Sequence, residues 1–206
     1  MASKDGKTIF VTVGSGSNVQ EHGPENEVRR ANILEINSDG SGEKIFASSL
    51  RNPIGLAYYP GTSTLWAAVN ERYELGDELV PDYITSVQQG GFYGRPYSYY
   101  GQNVDPHRKD EHPELAQKAL VPDVPMGPHV AALGLTFYDQ KALPARYRNE
   151  AFVGEHGSWN RAAYSGYKVA SVPFKDGKPA GKPEDFLIGS LVGGGSDKAY
   201  GRPWAW

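Results

Sequence analysis

The richest concentration of chemistry-bearing side chains lies at residues 70–83, NERYELGDELVPDY. Five of these fourteen residues are acidic: Glu71, Glu74, Asp77, Glu78 and Asp82. The stretch follows an apolar run, TLWAAV, and precedes a Gly/aromatic run, GGFYGRPYSYYG. Two readings of such a loop compete. It is either a solvated acidic surface or a nest for something positive, such as a calcium ion, which takes 6–8 oxygen ligands. A second group sits at 154–161, GEHGSWNR, where Glu155 and His156 offer acid/base chemistry because histidine titrates near neutral pH. Adjacent residues on a strand point to opposite faces, so these two are not expected to pair. The competing reading is a hydrogen-bonded structural loop with Trp159 packing. His129, in GPHVAALGL, and the Arg51-Asn52 pair, in LRNPIGLAYY, each stand just before an apolar segment. The guanidinium of Arg51 suits a ligand carboxylate through its planar fork, or else stacks structurally on an aromatic. His22, His107 and His112 fall in polar loops and are expected to be solvated. GSGSN (14–18) lacks the lysine and the following helix of a phosphate-binding loop and reads as a connector.

The elements that must position these groups are short and strand-like. TIFVTV (8–13), ANILEI (31–36), EKIFAS (43–48), IGLAYY (54–59) and TLWAAV (64–69) read as strands. So do LGLTFYD (133–139), AFVGE (151–155), YKVASVPF (167–174) and DFLIG (185–189). SDGSG and KDG are hairpin signals. PELAQKAL (113–120) is the one short helix candidate, with proline suited to its first turn. With 25 glycines, 15 prolines and 13 tyrosines in 206 residues, the composition favours an all-β chain in a single domain over 1–206. The net charge of −3 gives no electrostatic case for nucleic acid. No apolar run reaches membrane-helix length, and MASKDGKTIF has no apolar signal core, which reads as cytoplasmic. The absence of cysteine removes disulfides and thiolate chemistry.

The strands also repeat. An A type carries a Gly-Leu-aromatic core in NPIGLAYY, AALGLTFY and the terminal GRPWAW. A B type ends at a polar loop in TIFVTVGSGSN, TLWAAVNER and AFVGEHGSWN. C and D types form a hairpin around Asp-Gly. The order is B-C-D, A-B with C and D obscured, A-B-C-D, A. Four-stranded repeats of this kind signal a β-propeller, with a β-sandwich as the alternative.

KDGKTIFVTVGSGSNV, FASSLRNPIGLAYYP, LWAAVNERYELGDELVPDY, GGFYGRPYSYYGQNVDP, FVGEHGSWNR and GYKVASVPFKDGKPAG together resemble the soluble sugar dehydrogenases dependent on pyrroloquinoline quinone (PQQ), of the glucose/sorbosone type. The resemblance spans nearly the whole chain. It implies a six-bladed propeller, of which about three blades are expected here, binding PQQ and calcium and acting on a sugar. It further implies calcium contacts from Asp77, Glu78, Tyr93 and Asp105, and cofactor contacts from Arg51, Asn52 and Arg202. His156 and His129 are the candidate catalytic groups. The family's general-base histidine lies upstream of the segment matching KDGKTIFVTV, so the chain is expected to lack it and to be truncated, although the family is often periplasmic. Three functions follow as alternatives: a PQQ- and calcium-dependent sugar dehydrogenase, a calcium-dependent hydrolase of lactones, or a non-catalytic propeller fragment. Open blade edges suggest a homodimer that completes the propeller.

Overall fold

The computed structural model describes residues 1–194 and 197–204. The chain opens with three antiparallel strands, β1 (Thr8–Val13), β2 (Asn32–Asn37) and β3 (Lys44–Ser48). The β2–β3 turn is the one SDGSG signals: Gly40 has φ 86°, and its N–H donates to Asn37 O at 2.8 Å. Three further strands follow, β4 (Asn52–Tyr58), β5 (Leu65–Asn70) and β6 (Pro81–Ser86). Residues 87–123 then supply a two-residue strand β7 (Gly91–Phe92), the hairpin β8 (Ser98–Tyr99) and β9 (Asn103–Val104), and a one-turn helix α1 (Pro113–Ala116). α1 is the expected helix, cut to four residues, with proline in its first turn. β10 (Val124–Pro128) precedes β11 (Ala132–Phe137), β12 (Ala151–Glu155), β13 (Lys168–Val172), the ribbon β14 (Phe174–Lys175) with β15 (Lys178–Pro179), and β16 (Glu184–Leu187).

The strands assemble into three four-stranded sheets, ordered β1-β2-β3-β7, β4-β5-β6-β10 and β11-β12-β13-β16. β3 pairs with β7 in parallel, whereas β1–β2, β2–β3, β5–β6, β6–β10, β11–β12, β12–β13 and β13–β16 are antiparallel. The third sheet is the A-B-C-D repeat read from sequence. In the second sheet, β6 and β10 are the obscured C and D strands, separated in the chain by residues 87–123. Residues 201–204 form no strand, and the remainder of GRPWAW lies outside the described residues. The β14–β15 turn places Asp176 at φ 51° and Gly177 at φ 79°, the left-handed pair of a two-residue hairpin loop.

Two compact units emerge. One comprises Met1–Ile54 and Val87–Pro122, the other Gly55–Ser86 and Asp123–Trp206. The second unit contains the main apolar core, where Trp66, Ile84, Val124, Leu135, Phe137, Val153 and Val172 are buried together. Phe174 packs on this core, its ring 4.9 Å from that of Trp66 and 5.1 Å from that of Phe137. The shared Gly-Leu core of the A strands has a steric reason at Gly55. A Cβ there would lie 2.4 Å from Leu133 O and 2.7 Å from Leu135 N, so β4 and β11 approach backbone to backbone. No helix among the described residues is long and apolar enough to cross a membrane.

Candidate functional site

The second unit brings three of the sequence motifs together at the ends of its strands. β5 ends at Asn70, and the acidic segment runs from Glu71 to the start of β6. Asp82 belongs to β6 and not to the loop; it is buried and accepts the N–H groups of Glu71 at 2.7 Å and Ala131 at 2.6 Å. Asn70 donates its amide to Ala132 O. Together they fasten the corner after β5 to the start of β11. His129, at φ 58°, donates Nε2–H to Gly76 O at 2.9 Å, and its ring stacks on Tyr73 at 6.1 Å and 17°. On the GEHGSWNR side, Arg161 pairs with Glu78 at 2.6 Å, and Ala162 N–H donates to Asp77 at 3.1 Å. The acidic loop therefore does hold something positive, the guanidinium of Arg161.

This arrangement bears on calcium. Asp77 and Glu78 each spend a carboxylate oxygen on the 161–162 segment. Among the described residues, no three His, Asp or Glu side chains gather as a metal cluster.

The end of β12 carries a different carboxyl. Glu155 is fully buried, and neither of its oxygens has a hydrogen-bond partner among the described residues. Its cross-strand neighbour Lys168 brings Nζ to 4.0 Å from Oε2, while donating to Asp185 at 2.5 Å. Burial pushes the Glu155 carboxyl up to about 8; Lys168 opposes the shift, and the charges of Asp82 and Asp185 add to it. Burial also raises Asp82, to about 6, against the pull of the backbone N–H groups of Glu71, Ala131 and Ala132. Because Asp82 has donors and Glu155 has none, Glu155 keeps the proton of this pair at neutral pH.

His156 and Arg202 meet at the root of the same loop. His156 N–H donates to Ala131 O at 3.0 Å, its Nδ1 lies 2.9 Å from Pro203 O, and its ring is 4.9 Å from Trp204. A carbonyl only accepts, so Nδ1 carries the hydrogen and Nε2 is left with its lone pair. Arg202 donates to Gly157 O at 3.2 Å and lies 4.8 Å above the Tyr167 ring. Gly157 sits at φ 101°, and a Cβ there would strike the Tyr167 ring at 2.3 Å. Trp159 departs from the expected packing role, since it is 66% exposed.

The remaining candidates lie in the other unit. Arg51 is buried, and its carbonyl accepts Ser15 N–H. Asn52 Oδ1 accepts the same N–H at 3.1 Å. Tyr93 is buried, its hydroxyl accepting Gln88 N–H at 3.3 Å, and Asp105 caps residues 106–108 through His107 N–H at 2.8 Å. GSGSN, far from cradling a phosphate, receives Glu27. Its carboxylate accepts from Ser15 Oγ at 3.0 Å, Gly16 N at 3.1 Å and Ser17 Oγ at 3.2 Å, and pairs with Arg95 at 3.3 Å. Sequence reading passed over Lys168 and the structural use of Asp82. The one available signal was a carboxylate inside the otherwise strand-like PDYITS.

Residues 95–187 match the TrAA12-like family model. An uncharacterized protein of Borreliella burgdorferi is 33% identical over 204 residues, covering 98% of this chain and 52% of that protein. The chain thus spans about half the length of the curated relative it matches. Among solved structures, it is similar to the calcium structure of the Trichoderma reesei carbohydrate-active enzyme of family AA12 (TM-score 0.70, 18% identity, 91% of this chain and 55% of that one). It is also similar to the holo PQQ domain of pyranose dehydrogenase from Coprinopsis cinerea (TM-score 0.69, 18% identity, 88% and 55%). PQQ-bound aldose sugar dehydrogenase from Streptomyces coelicolor follows (TM-score 0.62, 17% identity, 98% and 49%). At these identities the likeness is one of fold. Together with the family-model match, it bears out the resemblance to the PQQ-dependent soluble sugar dehydrogenases that the sequence motifs carry.

Proposed function

We propose that this chain forms three blades of a six-bladed propeller that oxidises a sugar with PQQ as its cofactor. The observation that carries the reading is the convergence of the acidic loop, His129 and GEHGSWNR at one end of β5, β11 and β12, on a fold like that of PQQ-bound sugar dehydrogenases. PQQ, where bound, supplies the acceptor for the hydride that leaves the sugar carbon. The protein must take the hydroxyl proton and hold both partners in register. His156 is suited to the proton, because Pro203 O fixes its hydrogen on Nδ1 and leaves Nε2 as the base. His129 has the reverse tautomer, with Nε2–H spent on Gly76 O, and serves to hold the loop. Arg202, in the same unit as His156, is suited to a cofactor carboxylate. A calcium ion at the acidic loop would compete with Arg161 for Glu78 and with Ala162 N–H for Asp77.

The test is PQQ binding followed by dye reduction with aldopyranoses. Binding is expected to appear as an absorbance change of the quinone and to weaken in Arg202→Ala. His156→Ala should keep the binding and lower turnover by about 10²-fold or more. Absence of PQQ binding overturns the reading. Lactone opening that requires calcium and no PQQ would favour the hydrolase instead.

A further inference from the structure

Lys168 faces two carboxyl groups and bonds to one of them. Its Nζ donates to Asp185 at 2.5 Å and stops 4.0 Å from Oε2 of Glu155, its cross-strand neighbour. The two acids are unequally placed. Asp185 is 58% exposed by side chain and is solvated with or without the lysine, whereas Glu155 is 1% exposed and has no donor among the described residues. Asp185 belongs to β16, the edge strand of the third sheet, and lies where the ladder is irregular. Val169 faces Leu187 and Ala170 faces Asp185, so Phe186 is an extra residue there. A bulge of this kind interrupts the ladder bonds. The Lys168–Asp185 bond spans the interruption, while the Phe186 ring packs 4.6 Å from that of Phe152.

The charged groups that face Glu155 come from three strands: Lys168 of β13, Asp185 of β16 and Asp82 of β6. Asp82 is held by the N–H groups of Glu71 and Ala131 and feels the charge of His129. β11 sets Ala132 opposite Glu155 and adds no charge. Burial disfavours the Lys168 ammonium, but the bond to Asp185 and the charge of Glu155 outweigh it, so the lysine stays charged while Glu155 titrates. We propose that Lys168 is a two-position strut, which braces β16 through Asp185 while Glu155 holds its proton and swings onto Glu155 when that proton leaves. The swing asks for about 1 Å of Nζ travel, within reach of a flexible four-carbon stem. A buried carboxylate attracts the ammonium more strongly than a solvated one, because water screens the latter. β16 is then left with its backbone bonds and the Phe186 contact. The loosened strand leads on, past the bonds of Val192 N–H to Lys198 O and Tyr200 N–H to Ser190 O, to Pro203, whose carbonyl holds His156. The strut needs no cofactor and is independent of the sugar-oxidising reading.

Amide hydrogen exchange of the full chain tests this, read by mass spectrometry between about pH 6 and about pH 9, across the Glu155 titration, and corrected for the intrinsic rate. Peptides covering β16 report the strut, and peptides covering β5 in the same sample report global opening. In the wild type, protection of β16 relative to β5 should fall about two- to fivefold as pH rises, the effect of losing one part-exposed ion pair. Glu155→Gln, which cannot ionise, should hold that ratio constant. Asp185→Asn should give the low ratio at every pH, and so should Lys168→Met. Circular dichroism checks that each variant is folded; should Glu155→Gln fail to fold, Lys168→Met decides. A wild-type ratio that does not change with pH overturns the strut, because β16 then opens only with the rest of the unit. So does the wild-type pH dependence persisting in a folded Glu155→Gln or Lys168→Met.

Discussion

Glu27 and Glu155 are glutamates whose side chains are little exposed, one in each compact unit, and their surroundings are opposite. Glu27 enters a ring of donors made by Ser15, Gly16, Ser17 and Arg95. Glu155 enters a site where neither oxygen finds a donor among the described residues and the nearest cation, Lys168, is turned toward Asp185. The first carboxylate is a structural pin, whose charge organises a glycine-rich loop. The second is a proton store, because burying it charged costs more than Lys168 returns. A buried acid thus announces its role through its donors and not through its burial.

The largest effect should come from the pin. Glu27→Ala removes the shared acceptor of Ser15, Gly16, Ser17 and the buried Arg95 and is expected to cost roughly 1–3 kcal/mol in denaturant unfolding, with Glu27→Gln recovering part of it. Loss of under 1 kcal/mol in Glu27→Ala would erase the contrast.

Next comes the pH dependence of the store. Glu155 ordinarily titrates at 4.5 and in the fold at about 8, so the native state holds a proton that the unfolded chain has released. The stability this confers is complete below pH 4.5 and declines as pH rises toward 8, by about 1.4 kcal/mol per pH unit. Asp82, raised from 3.8 to about 6, adds a decline over that lower window. Glu155→Gln should therefore flatten the stability profile between pH 6 and 8, leaving the fall below pH 6 in place. A profile that matches wild type would show that Glu155 is ionised at neutral pH.

Lys168→Met is a smaller change that sharpens the same point. It removes the opposing cation and should carry the decline to higher pH, as read from where stability levels off. The smallest effect belongs to the exposed pair. Glu78→Gln should change stability by less than about 1 kcal/mol, since Glu78 is solvated.

Short β-rich apolar runs such as TIFVTV and AFVGE were legible in the sequence almost to the residue. β6 was not, because Pro81 and Asp82 make PDYITS read as the tail of an acidic loop, although Asp82 is buried and bonded to backbone. β10, VPMGP, hides behind two prolines and a glycine, which an outer strand tolerates because one side of it carries no ladder. The site was legible as motifs and not as a place. Arg161 with Glu78, and Trp159 beside Tyr73, depend on which loops meet when β5 and β12 are brought to the same end of one unit. No spacing in the chain encodes that meeting. The same limit applies to Glu155, whose protonation follows from burial with no hydrogen-bond donor among the described residues.

The strand β7, which borders the first sheet beside β3, is drawn from the segment that interrupts the second sheet between β6 and β10. Neither unit is therefore one uninterrupted length of chain. As the polypeptide leaves the ribosome, β1, β2 and β3 must wait for residue 92 before their sheet gains its last member, and by then β4, β5 and β6 have already emerged. A nick after Ile54 would separate β3 from its neighbour β7 in sequence, so neither unit can be liberated intact by a single proteolytic cut.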